Sequence, residues 1–567
     1  MTTRWILNEP SEVENAKALS EALQIHPILA SILIDRGIKT EEGANKYFNP
    51  SLNDLYDPFL MKGMSRAIKR LQKAMQSDEK ILIYGDYDVD GTTSVALVYG
   101  FLRHFYANID YYIPDRYKEG YGISKAGIEW ASENEFTLIL TLDCGIKAVE
   151  MTRYAATKGI EMIICDHHLP GDELPEAYAI LDPKQIDCPY PYKELSGCGL
   201  GFKLIQAFCH ENHYDPDLLY DYLDLVVVSI ASDIVPITDE NRILAYHGLK
   251  KLNSYPRAGL EALIEGAGIR DEINITSIVF GIGPRINASG RMDHAKNAVD
   301  LLLTDKKTEA DKYAGMLDTK NSIRRNYDAT ITMEALLMIE NDEILKAAKS
   351  TVLFQNHWHK GVIGIVASRC LDKFYRPTII LTESNGKATG SARSVTGFDL
   401  YEAISECSDL LDQFGGHMYA AGLTMDIQNI EAFKQKFEEV VARKITDEQL
   451  IPQIGVDAHV RLSDFDEKFY ETLCRIAPFG PGNLQPVFMS DKLKISGRPR
   501  VLKDMHLKFC VQQDDSDVVF DVIAFGQAQY ADLVGSGMQF SMAYYLEENN
   551  YNGKTTLQLR AKDIKFD

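Results

Sequence analysis

Between residues 80 and 181 the chain alternates short apolar runs with amphipathic stretches, and this alternation restricts the fold more than any other feature. The runs are KILIY (80–84), IDYYI (109–113), FTLILTL (136–142), EMIIC (161–165) and AYAIL (177–181). Helical spacing fills gaps between them, at 93–106 and 147–158. Strands alternating with helices build a parallel α/β sheet. A further run, LDLVVVSIA (223–231), is apolar throughout, and periodicity leaves it open between strand and buried helix.

Residues 1 to about 60 read as helical and polar, with Pro10-Ser11 opening one segment and Asn49-Pro50 closing another. Residues 291–345 carry heptad-like spacing with Gly315 the one strong breaker, which predicts long connecting helices. A second α/β unit follows at about 350–445, with strands near 351–354 and 378–381 and a helix at 430–443. After Pro452 the texture is strand-rich, at 487–488, 492–496, 507–511, 518–525, 540–545 and 555–559. That many short strands suggest a small β-barrel.

The chain has 567 residues, enough for three or four domains, and its 45% hydrophobic and 25% charged composition excludes wholesale disorder. A formal net charge of −22 argues against coating duplex DNA or an anionic membrane, although local patches decide nucleic-acid binding. No apolar run approaches the roughly 18 residues of a membrane span, and the start lacks the pattern of a secretory signal. A soluble, cytoplasmic protein is expected. Nine scattered cysteines without a CxxC pair exclude a zinc ribbon and disfavour a disulfide framework.

The chemistry is concentrated in carboxylates. Asp86-Tyr87-Asp88-Val89-Asp90-Gly91 follows the first run, Asp143 follows FTLILTL, Asp166-His167-His168 follows EMIIC, and Asp233 ends LDLVVVSIAS. Three carboxylates at alternate positions repel one another unless a cation sits among them. Any one aspartate reads equally as a strand-end or capping residue. A calcium loop lacks its closing glutamate, since position 97 is leucine. Strands of a parallel sheet open their carboxyl ends on one edge, so four segments would deliver acids and imidazoles to one place. Oxygen-rich ligation with a histidine suits Mn²⁺ or Mg²⁺, and four aspartates (86, 88, 143, 233) balance two divalent ions. Two such ions clamp an in-line displacement at phosphorus, which predicts a metal-dependent phosphoesterase.

The segments YGDYDVDGTTS (84–94), LDCG (142–145), DHH (166–168) and ASD (231–233) resemble the four motifs of the DHH phosphoesterase superfamily. GPRINASGRMDHA (283–295), HKGVIGIVASR (359–369), GSARSVTGFDL (390–400), FGGHMYAAG (414–422) and APFGPGNLQPVF (477–488) are similar to its bacterial single-strand-specific exonuclease branch. The resemblance implies a two-ion nuclease that degrades single-stranded DNA from the 5′ end to mononucleotides, in recombination and repair. It implies Asp86, Asp88, Asp143, His167 and Asp233 as metal ligands, with Asp88 and Asp143 the bridging pair. Asp90, Asp166 and His168 would orient those ligands or contact phosphate. Relatives with a histidine four residues before the first Asp use it as a ligand; here that position is Leu82.

On the same ground the division is an N-terminal helical lead-in (1–60), a DHH catalytic domain (61–290), a helical connector (291–345), a DHHA1 substrate-binding domain (346–447) and an OB barrel (448–567). The cleft between the two α/β units would hold the active site, too narrow for a duplex. Arg116, Arg285 and Arg291 are candidates for bidentate contacts to phosphate. Ser391, Arg393, Gly415, Gly416 and His417 match substrate-binding motifs, and adjacent glycines let a backbone approach phosphate closely. His357 and His359 have no clear role beyond packing.

Segment 491–508 carries six Lys or Arg against two Asp. Arg498, Arg500 and Lys503 there, with Phe509, Phe520 and Phe525 nearby, suit backbone tracking and base stacking on single strands. Expected partners are single-stranded DNA, a helicase and a single-strand-binding protein, with the chain a monomer. Two other readings are a DHH phosphodiesterase of cyclic dinucleotides or short oligonucleotides, which would lack the barrel, and an inactive replication scaffold, which would lack competent ligands.

Overall fold

Five of the apolar runs become the strands of one parallel sheet, in the spatial order Ile109–Tyr112, Lys80–Gly85, Phe136–Leu142, Glu161–Cys165, Ala179–Leu181. The computed structural model describes residues 3–9, 12–514, 516–551 and 553–566. Alternate side chains of the central strands enter two cores. Ile81, Ile83, Leu138 and Leu140 pack with helices Met64–Gln76, Val89–Leu102 and Gly197–Asn212. Leu82, Tyr84 and Ile139 pack with Lys125–Glu133 and Val149–Thr157. A parallel sheet covered on both faces reads as nearly continuous apolar runs for this reason.

The ambiguous run resolves as a helix, Leu223–Asp233, buried from Leu223 to Ala231. It lies against Val89–Leu102 and Gly197–Asn212. A helix enclosed on all sides has no polar face, so no helical period shows in its sequence. Asp233 is therefore delivered by a helix end, whereas Asp86, Asp143 and Asp166 each follow a strand.

The connector is helical as expected: Gly283–Met292, Lys296–Leu303, then a 34-residue helix Lys307–Glu340 that runs through Gly315 for about 50 Å. Beyond it a five-stranded mixed sheet has the order Gln413–His417, Ala420–Met425, Lys387–Arg393, Thr378–Ser384, Thr351–Phe354, and only the last pair is parallel. Residues 52–450 form one compact unit.

Residues 1–51 and 451–567 form the other. Strands Phe488–Ile495, Phe540–Tyr551, Lys554–Phe566, Phe520–Ala524 and His506–Gln513 pair in that order, and Phe488–Ile495 also pairs with His506–Gln513, closing a five-stranded barrel. The lead-in departs from the polar, all-helical expectation. Its helix Pro27–Asp35 buries Leu29, Ala30, Ile32, Leu33 and Ile34 in the barrel's core cluster. Residues Arg4–Leu7 form a strand parallel to Gln453–Val456, a partner far away in sequence. Pro10 and Ser11 lie outside the described residues. Among the described residues no single helix is long and apolar enough to cross a membrane.

A buried ion pair ties helix Gly197–Asn212 to helix Asp239–Ser254. Lys203 and Glu240 are both fully buried, with Nζ 3.0 Å from Oε1; Nζ also donates to the Tyr56 carbonyl at 2.6 Å, and Tyr190 Oη donates to Glu240 Oε2 at 2.6 Å. Removing one partner strands the other charge. Lys203→Met is expected to cost about 3–5 kcal/mol, read from the urea unfolding midpoint, and Lys203→Met/Glu240→Leu should recover most of it.

Candidate metal centre

The strand Lys80–Gly85 ends directly at Asp86, whose two carboxylate oxygens are buried and have no hydrogen-bond partner within 3.5 Å among the described residues. Asp88 caps the helix Val89–Leu102, accepting from the Gly91 amide at 3.0 Å. Asp90, in that helix's first turn, is fully engaged. Its Oδ2 accepts from the Gly197 amide (2.6 Å), and its Oδ1 from the Cys198 amide (2.8 Å) and Ser229 Oγ (2.7 Å). The alternation DYDVD is thus a strand end running into a helix start, not an extended strand.

Asp143 follows its strand at φ +59°, a conformation uncommon for a residue with a side chain. His167 Nε2 lies 3.1 Å from Asp143 Oδ1, 3.5 Å from Asp90 Oδ2 and 3.6 Å from Asp233 Oδ2, while its Nδ1 is buried and unpartnered. Asp166 is spent on orientation: Oδ2 accepts from the Ile146 amide, and Oδ1 from the His167 amide and the His168 ring Nδ1 at 2.7 Å. His168 Nε2 then shares a hydrogen bond with Tyr121 Oη at 3.2 Å.

Ligand atoms fall into three overlapping groups, each within 4.8 Å: Asp86, Asp88, Asp143; Asp143, His167, His168; and Asp90, His167, Asp233. Asp143 and His167 each belong to two of these groups, and Asp88 to one. Burial, with Asp88, pushes the Asp86 carboxyl well above its ordinary range. Burial, then Asp90 and Asp88, does the same to Asp143 and takes Asp233 to about 8. Burial lowers His167, whereas at His168 the Asp166 carboxylate overcomes burial and raises it to about 9. Buried acids that resist ionisation, oxygens without donors and an imidazole nitrogen without a partner fit divalent cations of the Mn²⁺ or Mg²⁺ class.

Basic side chains lie beside this acidic cluster. The Arg291 guanidinium is lowered to about 10 by burial and then by Arg116, Arg324 and Arg393, with Asp88 acting in the opposite sense. Lys360 is lowered by burial and by Arg116. None of these five cations forms an ion pair among the described residues. Arg116 stacks on the Tyr87 ring at 4.9 Å. Arg291 donates to the Gly361 carbonyl at 2.9 Å, and Tyr117 Oη donates to the Arg291 carbonyl, so the two α/β units meet here. Arg324, on the long helix, keeps a buried Nε with no partner. Sequence reasoning missed it because Arg325 beside it makes an ordinary polar helix face.

Arg285 does not join them. It donates to Asp318 (3.0 Å) and to the carbonyls of Gly281 (2.7 Å) and Gly266 (3.0 Å), so the structure uses its guanidinium to tie helices together. Ser391 and Arg393 share one face of their strand, and Arg393 Nη1 donates to Ser391 Oγ at 3.1 Å. The register puts Ser391, Gly422 and Gly415 in one row and Arg393, Ala420 and His417 in the next. Gly416 adopts φ +148° on the edge strand. His359 stacks on Tyr327 at 4.9 Å and lies near Tyr117, while His357 and Trp358 both bond Glu334.

In the barrel, Arg500–Leu502 is an edge strand with all three residues exposed. Arg500 stands directly opposite Lys508, a like-charge pair that is costly unless an anion joins it. Arg498, Arg500 and Lys503 have no ion pair among the described residues. Two of the three expected stacking rings are not available, because Phe509 and Phe520 are core residues; Phe525 is exposed and edge-on to His506 at 5.2 Å.

Three profiles match in this order: DHH family, N-terminal domain, at 80–230; DHHA1 domain at 346–443; and RecJ OB domain at 456–563. The single-stranded-DNA-specific exonuclease RecJ of Bacillus subtilis is 37% identical over 99% of this chain and 70% of its own. The chain belongs to the RecJ family. The RecJ exonuclease of Haemophilus influenzae is 33% identical over 95% of this chain and 96% of its own. Thermus thermophilus RecJ, crystallised with Mn²⁺, superposes at a TM-score of 0.85 with 28% identity, covering 100% of this chain and 80% of its own. The same protein crystallised with Mg²⁺ gives a TM-score of 0.78 at 27% identity, covering 100% and 78%. The α/β, DHHA1 and OB architecture is that of RecJ.

Proposed function

We propose that the chain is a metal-dependent exonuclease that degrades single-stranded DNA from the 5′ end to mononucleotides, in DNA recombination and repair. One observation carries it: two buried, unpartnered Asp86 oxygens beside Asp88 and Asp143, in a RecJ-family chain. Asp86, Asp88, Asp143, His167 and Asp233 would hold two ions of the Mn²⁺ or Mg²⁺ class. Bound there, such ions activate water at neutral pH and offset charge on the phosphoryl oxygens. Asp90, fixed by the start of helix Gly197–Asn212, keeps His167 and Asp143 in place. Asp166 holds the His168 ring through Nδ1 and Tyr121 Oη holds it through Nε2, at the edge of the site, where His168 contacts phosphate. Arg116, Arg291, Arg324, Arg393 and Lys360 hold the phosphates of the strand, together with Ser391 and the glycine-histidine edge at Gly415, Gly416 and His417. Capture of longer strands falls to the barrel.

The RecJ OB match at 456–563 counts against a cyclic-dinucleotide phosphodiesterase, and the complete set of acids and imidazoles counts against an inactive scaffold. We further propose a cytoplasmic monomer that works with a helicase and a single-strand-binding protein. Polarity rests on the family. The test is cleavage in Mn²⁺ of end-labelled single strands, their duplex and a cyclic dinucleotide. Release of labelled mononucleotide from the 5′-labelled single strand, stopped by EDTA, is expected; hydrolysis of the dinucleotide alone would move the chain to the small-substrate branch.

If the barrel tracks phosphates, Arg498→Ala/Arg500→Ala/Lys503→Ala should weaken binding of long strands. It should also reduce the slope of log affinity against log salt by about 2, at about 0.7 for each phosphate no longer neutralised. Fluorescence anisotropy across a salt series measures both.

A further inference from the structure

A cavity of about 300 Å³ opens beside His168, lined by Tyr121, Ile146, Lys147, Ala148, Met151 and His168 among others. That volume is at the small end of ligand pockets. Its walls are largely apolar: the Ile146, Ala148 and Met151 side chains and the Tyr121 ring, which is 57% exposed. Tyr121 is held in place, because its hydroxyl bonds His168 Nε2 at 3.2 Å and the Asp143 carbonyl at 3.4 Å. Asp166 also borders the cavity, but both of its oxygens are spent on the Ile146 and His167 amides and on His168. Asp166 keeps its negative charge but is paired with the His168 ring at 2.7 Å, and the exposed Lys147 adds a positive charge.

Resting on the nuclease reading, we propose that this pocket receives one nucleobase of the strand being cut. His168 is common to the pocket and to the ligand group Asp143, His167, His168, so a phosphodiester at the carboxylates has an adjacent base within reach. A held aromatic ring and a pliant methionine offer a π-face and an adaptable apolar wall. Stacking of this kind accepts every base, because every base has a π-face. The pocket therefore supplies affinity and orientation without sequence preference, which degradation of arbitrary sequence requires.

The test compares kcat/KM for 5′-phosphorylated single strands that carry one abasic tetrahydrofuran nucleotide at the first or second position with that for the fully based strand. The native protein should prefer the based strand roughly tenfold at one of these positions, the size of a single base stack. Ala148→Phe and Met151→Trp, which fill the pocket from two walls, should each bring that ratio towards one. No preference at either position, or an undiminished preference in both variants, overturns the pocket. Either result leaves the nuclease reading standing, because the strands are still cut.

Discussion

Asp143→Asn is expected to lower kcat by about 10³-fold or more while single-strand binding stays within a few-fold of the native value. Asp143 is the carboxylate common to two ligand groups, so its charge bears on both ions. The ions' stabilisation of transition-state charge amounts to several kcal/mol, and about 4 kcal/mol corresponds to 10³ in rate. Asparagine keeps the shape and tolerates the left-handed backbone at φ +59°, where alanine would add strain of its own. Asp90, Asp88, Asp233 and Asp86 all press on Asp143, so in EDTA the variant should melt no lower than the native chain. Single-turnover cleavage, anisotropy and a melting curve separate these effects. Loss of binding together with a lower melting point would make Asp143 a structural residue.

Gly91→Ala is expected to reduce kcat by about 100-fold although no reacting atom is removed. A Cβ at position 91 would lie 2.4 Å from the Asp86 carbonyl oxygen and 2.6 Å from its N and C atoms. These are backbone atoms at the end of a buried strand, so the helix Val89–Leu102 must give way. Asp88 and Asp90 move with it, and a displacement of about 1 Å at a catalytic site costs about 10²-fold. Overpacking adds a stability loss of about 1–3 kcal/mol. Gly315→Ala is the control, since nothing lies within 4 Å of its added Cβ; in a helix interior it should gain about 0.5–1 kcal/mol and leave kcat unchanged. Comparable activity loss in both variants would refute the steric account.

Phe136–Leu142 and Glu161–Cys165 could be read to the residue because strands covered on both faces are continuous apolar runs. The acids of the metal centre were legible because each follows such a run. Asp233 lies beside His167 at the end of a helix, and the sequence left that run open because a helix buried on all sides carries no period to identify it. Phe509 could have been assigned to the core: Leu507, Phe509 and Val511 alternate along one strand and all are buried. Other features depend on distant partners. Arg4–Leu7 is a strand only because Gln453–Val456 pairs with it. Arg285 was singled out in sequence and Arg324 was not, yet Asp318 and two carbonyls occupy the first while the second keeps a buried Nε unpartnered among the described residues.

Three overlapping ligand groups of this kind should hold two divalent ions, and equilibrium dialysis of Mn²⁺ into the chelator-stripped chain counts them. Two ions bound per native chain, and fewer in Asp143→Asn, is the predicted result; no saturable binding, or the same stoichiometry in both proteins, would contradict it.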